Sequence, residues 1–235
     1  MPSSHLTSLL VTSHHPSKQP SVGIESMILE ALIILIVVLV ARVLWVLRGI
    51  RQGRRTSSAR PPLRSQPLKT LIILGSGGHT TEMLALTKHL PTKYYRVEYC
   101  VANTDTTSAM RLPPGQVLLH RLPRAREVGQ SYWTSVFTTL YALLHALVLV
   151  ARIRPGLVLS NGPGTALPVC LAAFSWRVVG WCEGKVVFCE SYCRVQTLSF
   201  TGKLLYYWAD VFVVHWKELH QRYPQSSMVT TFVKG

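Results

Sequence analysis

The sequence predicts a doubly wound α/β domain with a parallel, Rossmann-like sheet, preceded by one N-terminal transmembrane helix. Three observations support this prediction. Short apolar runs alternate with helical patterns from residue 68 onward, a glycine-rich turn follows the first of those runs, and the most apolar segment lies near the N-terminus. The chain has 235 residues, 48% of them hydrophobic, which is enough for one domain of ordinary size and an appendage.

The N-terminal region divides into a tail and an apolar helix. Residues 1–26 are rich in Ser, His and Pro without a hydrophobic period, which predicts a disordered tail. Residues 27–47 follow, with the sequence MILEALIILIVVLVARVLWVL, and as a helix they would measure about 31 Å, close to the thickness of a bilayer core. Glu30 and Arg42 lie near the two ends of this run, where charged side chains can reach the interface. The run therefore predicts a transmembrane helix.

A cleaved signal peptide and a buried core helix are the alternatives for this run. No small-x-small cleavage site follows it and an Arg-rich stretch does, which favours an uncleaved anchor. Its polar, Pro-rich flanks argue against a core helix. Because Lys and Arg are in excess on its C-terminal side, that side is predicted to face the cytosol.

A basic, Pro-rich linker is predicted at 48–67. Eight Lys and Arg residues fall between positions 42 and 69, and no Asp or Glu interrupts them. Much of the net charge of +15 is thus concentrated beside the apolar helix, which indicates anionic lipid headgroups rather than nucleic acid. No aromatic residue lies between Arg48 and Lys69, which argues further against a platform for single-stranded nucleic acid. A solvated linker that is merely basic is the alternative.

The globular domain is predicted to span 68–235. Continuous Val, Ile and Leu runs are typical of parallel strands covered on both faces. The stretch 136–150 is apolar enough for a second membrane-associated helix, but burial against the sheet is favoured because His145 interrupts it and it is short for a span. The predicted strands are 70–74, 94–103, 116–122, 156–161, 185–191 and 210–216, and the predicted helices are 80–90, 131–153, 165–176 and 198–208.

The loop after the first predicted strand is the first candidate site. Glycine lets a backbone approach an anion closely, and the helix that follows offers free N–H groups at its N-terminus. A tight turn without a ligand is the alternative. His79 begins that helix, where its imidazole could accept a proton as a general base or donate a hydrogen bond to a phosphate. The candidate anion-binding residues are Gly75, Ser76, Gly77, Gly78 and Thr80.

Two further loops follow strands of the same sheet, where ligands are expected at the carboxyl ends. Glu190 ends the fifth predicted strand, and a carboxylate is costly there unless it is paired or functional. Pairing with Arg194 or Lys185 is the alternative to a functional role. The loop after the fourth strand can line the same crevice, or it can be an ordinary Gly-Pro-Gly turn. Its candidate residues are Asn161, Gly162, Gly164 and Thr165.

The motifs of several cofactor sites are incomplete. The dinucleotide fingerprint needs a third glycine where Thr80 stands, and the Walker pattern needs a Lys-Ser/Thr pair that does not follow the glycines. The two aspartates, Asp105 and Asp210, form no D-x-D pair, so sugar chemistry here is predicted to be independent of metal. The five cysteines form no C-x-x-C motif, which predicts reduced thiols. We therefore predict neither a cofactor nor a metal site.

Five segments of the domain, in order, resemble a known family. They are LIILGSGGHTTEML, RLPRAREVGQSYW, SNGPGTALPV, CESYCRVQTLSFTGK and ADVFVVHW. They resemble the membrane-anchored subunit of the split UDP-GlcNAc transferase, which adds the second GlcNAc to dolichyl-diphosphate-GlcNAc in N-glycan assembly. The resemblance covers about residues 68–223. The segment 226–235 departs from the family pattern, in which a short apolar tail docks the partner.

The resemblance implies one half of a two-domain B-fold glycosyltransferase, similar to the bacterial enzyme that makes lipid II. This chain would supply the membrane anchor and the acceptor half, and a soluble catalytic subunit would supply the donor half with the UDP-GlcNAc site. The transfer would be inverting, and the chain would be inactive alone. By motif match, the glycine loop faces the acceptor diphosphate, His79 is a candidate base and Glu190 is the strand-end carboxylate. Which of the two takes the proton stays open.

The same resemblance implies a single-pass protein of the endoplasmic reticulum membrane with its domain on the cytosolic face, and the nuclear envelope as a second location.

A pure membrane scaffold, which only recruits a complete soluble enzyme, is one alternative function. A membrane-tethered nucleotide-binding oxidoreductase is another, made more distant by the missing third glycine. Mutation of the glycine loop separates the scaffold from the half-enzyme, because a scaffold would tolerate the change.

Overall fold

A computed structural model of the chain describes residues 23–55, 65–115, 117–126, 129–162 and 164–229. Most of the predicted tail, the predicted linker from 56 to 64 and the C-terminal residues 230–235 therefore lie outside the described residues. The chain divides into two units, residues 1–38 and residues 39–235.

The first helix, α1, runs from Ile24 to Arg55 and belongs to both units. By length and composition it is apolar enough to cross a membrane, and its large apolar side chains from Ile24 to Val40 are exposed. It does not end at Leu47, where the apolar run ends. Residues 48–55, predicted as part of the linker, continue the helix because no proline occurs between positions 21 and 60. The assignment of 27–47 as a transmembrane helix stays a prediction.

The C-terminal part of α1 packs on the domain within the second unit. Val46 and Ile50 are buried and form an apolar cluster with Val178. Arg42 donates from Nε to the carbonyl of Val178 at 3.0 Å, and Arg54 donates to the carbonyl of Ala209 at 2.9 Å. Each guanidinium thus satisfies carbonyls at a helix C-terminus or just past one, where the helix dipole favours a positive charge.

In the part of the chain that the structure describes, seven parallel strands form one sheet, in the order β3-β2-β1-β4-β5-β6-β7. The strand order reverses between β1 and β4, so their carboxyl ends open a crevice at the switch point of a doubly wound sheet. The predicted parallel sheet is confirmed. The strands are β1 Leu68–Ile73, β2 Tyr95–Ala102, β3 Leu119–Leu122, β4 Leu157–Ser160, β5 Lys185–Cys189, β6 Val211–Val214 and β7 Ser227–Met228.

Six helices connect the strands. The long ones follow the predicted apolar patterns to within a few residues at each end. The short helices α3 and α7 and the strand β7 were not predicted, because five or six residues carry no readable period. The helices are α2 Gly78–Thr87, α3 Thr106–Met110, α4 Tyr132–Ile153, α5 Ala166–Val178, α6 Phe200–Leu205 and α7 Lys217–Arg222.

Apolar clusters cover both faces of the sheet. Alternate residues from Leu71 to Leu74 point to opposite faces. Leu71 and Ile73 belong to the larger cluster, which α4 and α5 cover, while Ile72 and Leu74 belong to the smaller one with Met83 of α2. This double burial explains why residues 71–74 form a continuous apolar run rather than an alternating pattern.

The helix α4 is buried on one face only. Its small residues Ala142, Ala146 and Val150 are buried and pack toward the larger cluster. The opposite face exposes large apolar side chains, among them Trp133 at 85% and Phe137 at 76%. The expectation of a helix buried against the sheet thus holds for half of its surface, and α4 also has the length and composition to cross a membrane. We call the exposed face the α4 stripe, formed by Trp133, Val136, Phe137, Leu140, Tyr141, Leu144 and Val148.

Candidate functional site

A pocket of about 400 Å³ opens at the carboxyl edge of the sheet. The glycine loop after β1 forms one side of it, and the loops after β3 and β4 form the other. The start of α6 closes it with Phe200 and Thr201. We call this the glycine-loop pocket, and of the predicted site residues it brings together Gly75, Ser76, Gly164 and Thr165.

The glycine loop leaves open space in front of the first turn of α2. Gly77 is the N-cap of this helix with φ 64° and ψ −124°, a conformation that favours glycine. No side chain caps the helix at this residue. A Cβ added to Gly77 or Gly78 would meet no heavy atom within 4 Å. The backbone here is therefore accessible to a ligand, and its geometry suits an anion.

A buried polar network supports the glycine loop from below. The Thr80 hydroxyl is fully buried and donates to the carbonyl of Gly75. Ser108 Oγ lies 2.6 Å from Thr80 Oγ1 and 2.6 Å from Asp105 Oδ2. Asp105 also caps α3 by accepting from the backbone N–H of Ser108 at 3.0 Å. The side chain of Thr80 thus holds the loop in place and does not line the pocket.

The loop after β4 fixes the start of α2. Asn161 donates from Nδ2 to the carbonyl of His79 at 2.7 Å and to Glu82 Oε2 at 3.3 Å. Gly162 has φ 129°, and a Cβ on it would lie 3.4 Å from His79 Cε1. The ring of His79 therefore lies close to Gly162, whose positive φ favours glycine at this position.

His79 faces a carboxylate that sequence reasoning missed. His79 Nδ1 lies 3.8 Å from Glu82 Oε2, three residues further along α2. Ser191, at the end of β5, donates from Oγ to Glu82 Oε1 at 3.1 Å. In the sequence, only the spacing of three residues on one helix indicated that these two side chains could interact. The structure adds that the loops after β4 and β5 both contact the same carboxylate.

Two arginines after β3 were also missed. Arg124 and Arg126 line the glycine-loop pocket, and Arg126 donates from Nη2 to the carbonyl of Gln130 at 3.0 Å. Arg111 lies on the other side of the glycine loop and donates to the carbonyl of Gly77 at 3.3 Å. The position of Arg124 and Arg126 directly after a parallel strand could have identified them, because ligands bind at the carboxyl ends of parallel strands. The pocket is therefore lined by two guanidinium groups and by one carboxylate, that of Asp105.

Glu190 is buried, with an exposed fraction of 1%. Its Oε2 accepts from the N–H of Ser199 at 2.8 Å and from the Ser199 hydroxyl at 3.0 Å, and its Oε1 accepts from the N–H of Ser191 at 3.0 Å. Neither Arg194 nor Lys185, both in the described part of the chain, forms the ion pair considered for it. Because Ser199 is the N-cap of α6, the carboxylate ties β5 to that helix. The catalytic role of Glu190 stays a prediction.

These contacts predict the effect of replacing Glu190 with glutamine. An amide nitrogen would face N–H and O–H donors where an oxygen now accepts, so the free energy of unfolding should fall by about 1–3 kcal/mol. The midpoint of thermal unfolding should fall by about 2–4 °C for each kcal/mol. Circular dichroism of the full chain in detergent measures this, and E218Q on exposed Glu218 is the control. An unchanged midpoint would contradict the structural role.

Three of the cysteines are buried core thiols. All five are free, in agreement with the predicted reduced thiols. Burial raises the pKa of Cys100, Cys170 and Cys189 to about 12. These three thiols are therefore protonated at physiological pH and act as small apolar core residues.

A second pocket, of about 300 Å³, lies beside α2 and is lined by Glu82, Tyr192 and His215 among others. Burial lowers the pKa of His215, so its imidazole is neutral at physiological pH. Glu82 thus lines this pocket and also lies 3.8 Å from His79. Because His215 is neutral, it does not offset the negative charge of Glu82.

The fold and its carboxyl-edge loops define a Rossmann-like α/β domain with an arginine-lined crevice at the switch point of its sheet. Residues 70–232 match the family described as Oligosaccharide biosynthesis protein Alg14 like. The chain belongs to this family, which confirms the resemblance found in the sequence.

The relatives span animals and fungi. The rat protein named UDP-N-acetylglucosamine transferase subunit ALG14 is 41% identical over 182 residues, covering 72% of this chain and 84% of the relative. The human protein of that name is 39% identical, with coverages of 68% and 81%. The Schizosaccharomyces pombe protein is 34% identical, with coverages of 74% and 86%.

Two solved bacterial structures resemble the fold. A putative UDP-N-acetylglucosamine 2-epimerase from Listeria monocytogenes is 14% identical with a TM-score of 0.50, over 67% of this chain and 42% of that one. Acinetobacter baumannii MurG is 20% identical with a TM-score of 0.49, over 63% of this chain and 41% of that one. The chain thus spans less than half the length of each.

Proposed function

We propose that this chain is the membrane-anchoring, acceptor-binding subunit of a UDP-GlcNAc transferase. The reaction adds the second GlcNAc to GlcNAc-diphosphate-dolichol in N-linked glycan precursor synthesis, at the cytosolic face of the endoplasmic reticulum. Family membership and the names of the relatives support the transferase assignment. The observation that carries the acceptor-binding role is the glycine-loop pocket, which Gly75 and Ser76 line together with two arginines. The open backbone of Gly77 and Gly78 follows these two residues directly in the chain.

The diphosphate of the acceptor is the ligand proposed for this pocket. Its oxygens would approach the backbone at Gly77 and Gly78, where no side chain stands in the way. The N-terminus of α2 carries a partial positive charge that favours an anion. Arg124 and Arg126 line the same pocket, and a guanidinium binds phosphate oxygens through charge-assisted hydrogen bonds.

The proposed chemistry is an inverting displacement that needs no metal. The acceptor hydroxyl attacks the anomeric carbon of UDP-GlcNAc, a new glycosidic bond forms, and the bond to the UDP oxygen breaks. His79 takes the proton of the attacking hydroxyl as general base. Glu190 is left out of this step, because its carboxylate is buried and already accepts three hydrogen bonds.

A separate soluble subunit is proposed to supply the donor half. The described part of the chain holds one doubly wound sheet with one switch point, whereas the reaction needs sites for a nucleotide sugar and for a lipid acceptor. The word subunit in the names of the relatives supports a heteromeric enzyme. We therefore expect the chain to be inactive alone.

The α4 stripe is proposed to lie in the lipid headgroup region. α4 begins three residues after Gly129, which lines the glycine-loop pocket. An acceptor with its diphosphate in that pocket carries its lipid tail nearby, so an apolar surface beside the pocket would rest on the membrane that holds the tail. Trp133 and Tyr141 suit this interface because amphipathic rings favour headgroup level.

Replacing Gly78 with alanine tests the acceptor site directly. Gly78 is a helical residue without a positive φ, and its Cβ would meet open space, so the fold should be as stable or more stable. The added methyl group would occupy the proposed path of the diphosphate. We expect the KM for a short-chain lipid-diphosphate-GlcNAc acceptor to rise at least ~10-fold, with the KM for UDP-GlcNAc unchanged.

The assay uses membranes that carry this chain, its soluble partner, or both. Gly49→Ala is the matched control, because Gly49 is also helical and its Cβ also meets no atom within 4 Å. Activity only in the combination supports a split active site. Full activity from the partner alone would reduce this chain to a scaffold, and an unchanged KM in G78A would remove the diphosphate from this pocket.

A further inference from the structure

The carboxylate of Glu82 joins three parts of the domain: helix α2, on which it lies, and the loops after β4 and β5. The side chain projects from α2, whose start follows β1, and 24% of it is exposed. Ser191, after β5, donates to its Oε1 at 3.1 Å, and Asn161, after β4, donates to its Oε2 at 3.3 Å. Each carboxylate oxygen thus has a donor that holds it in place. Glu82 Oε2 also lies 3.8 Å from His79 Nδ1.

The orientation of His79 leaves one nitrogen for a substrate. Its Nδ1 is buried and has no hydrogen-bond partner among the described residues, and it faces Glu82. The backbone of His79 is fixed by Asn161, and its ring lies against Gly162. Because the two nitrogens lie on different sides of the ring, Nε2 points away from Glu82 when Nδ1 points toward it.

We propose that Glu82 is a positioning residue for His79, an inference that rests on the proposed function. The carboxylate accepts the Nδ1–H of the imidazole, which fixes the tautomer with Nε2 unprotonated and able to take the proton of the acceptor hydroxyl. That proton moves to Nε2, and Nδ1–H stays hydrogen-bonded to Glu82, which is not protonated. The negative charge of Glu82 offsets the imidazolium that forms, as in other carboxylate–histidine pairs.

The separation of 3.8 Å requires a small closure when the acceptor binds. A charge-assisted N–H···O bond measures about 2.7–2.9 Å, so the two side chains must approach by roughly 1 Å. Catalytic hydrogen bonds are often long before the substrate binds. The donors on Glu82 come from two other loops, so the imidazole is the partner with freedom to move.

A purely structural role for Glu82 is the competing explanation, because its contacts also join the loops after β4 and β5. The two roles differ in how they depend on His79. A positioning residue has no effect once the imidazole is gone, whereas a residue that only joins loops lowers activity by the same factor with or without it.

The test is a double-mutant cycle on the reconstituted two-subunit enzyme. E82Q keeps the shape of the side chain and removes its charge. We expect kcat to fall at least ~10-fold, with the acceptor KM changed less than about twofold, and E82D to recover part of the loss. In the H79A background, E82Q should cause no further loss. E218Q is the matched control, since Glu218 also lies on a helix that follows a strand of the sheet but is exposed.

Each outcome separates this inference from the proposed function. Three results would overturn the positioning role and leave the transferase assignment intact. E82Q could lower kcat by the same factor in both backgrounds, it could affect the acceptor KM alone, or it could change neither. Normal activity of H79A would overturn both the base and its positioning residue. Absence of transfer from the unmodified complex would overturn the proposed function itself. Circular dichroism and co-purification of the partner show that E82Q is folded and assembled.

Discussion

Replacing His79 with alanine is expected to lower the kcat of the reconstituted transferase by about 10²–10⁴-fold, the usual contribution of a general base. The reason is geometric: the imidazole directly follows the glycine loop, its backbone carbonyl accepts from Asn161, and its ring lies close to Gly162. The side chain is partly exposed, so the fold should survive its removal. The measurement is the rate of GlcNAc transfer to a short-chain lipid-diphosphate-GlcNAc acceptor at saturating concentrations of both substrates.

The control for this prediction is His89→Ala. His89 is an exposed histidine just past the end of α2, so the same chemical change is made away from the pocket. Both variants should attach to membranes and bind the soluble subunit to the same extent as the unmodified chain. A turnover of H79A within about twofold of H89A would exclude His79 as the base, and the proton would then need another acceptor.

The sheet could be predicted from the sequence because its strands are buried on both faces. The buried part of such a strand must then be apolar on both faces, as residues 71–73 of β1 are, and this is readable without knowledge of the neighbouring strands. The helix α3 could not be predicted: it exists because Asp105 caps it and Ser108 joins the network under the glycine loop. Such tertiary contacts leave no period in the sequence.

The candidate site was predictable in its loops but not in all of its side chains. Glycines at strand ends mark where a ligand can approach, and the loops after β1 and β4 do meet. The charged residues were harder to assign, because burial decides whether a carboxylate has a structural or a functional role, and burial cannot be read from the sequence. Glu190 and Glu82 both lie near strand ends, yet one is buried under α6 and the other faces His79.

The faces of α4 illustrate the same limit. Hydropathy alone cannot separate a helix that packs on a sheet from one that meets lipid, since both are apolar. In the structure Ala142 and Ala146 are buried, and Trp133 and Phe137 are exposed. Leu143, Leu147 and Leu149 nevertheless pack against the larger core cluster. Both faces thus carry large apolar side chains, and only the tertiary packing distinguishes them.

Replacing Arg124 and Arg126 together with alanine is expected to raise the acceptor KM about 100-fold or more. Each guanidinium that binds a phosphate oxygen contributes about 1.5–3 kcal/mol through a charge-assisted hydrogen bond, and every 1.4 kcal/mol corresponds to about tenfold in affinity. The KM for UDP-GlcNAc should not change, because the donor site is proposed to lie in the other subunit. Initial rates measured while each substrate is varied in turn separate the two effects.

The matched control removes two positive charges from strands β2 and β3 without touching the pocket. Arg96 and Arg121 are exposed on β2 and β3, so R96A/R121A lowers the net charge equally and tests long-range attraction to an anionic membrane. If both double variants raise the acceptor KM alike, the arginines after β3 act through the general field of the protein. A large effect confined to R124A/R126A would instead mean that the diphosphate is bound by direct contact, and that the loop after β3 is the counterpart of the glycine loop across the pocket.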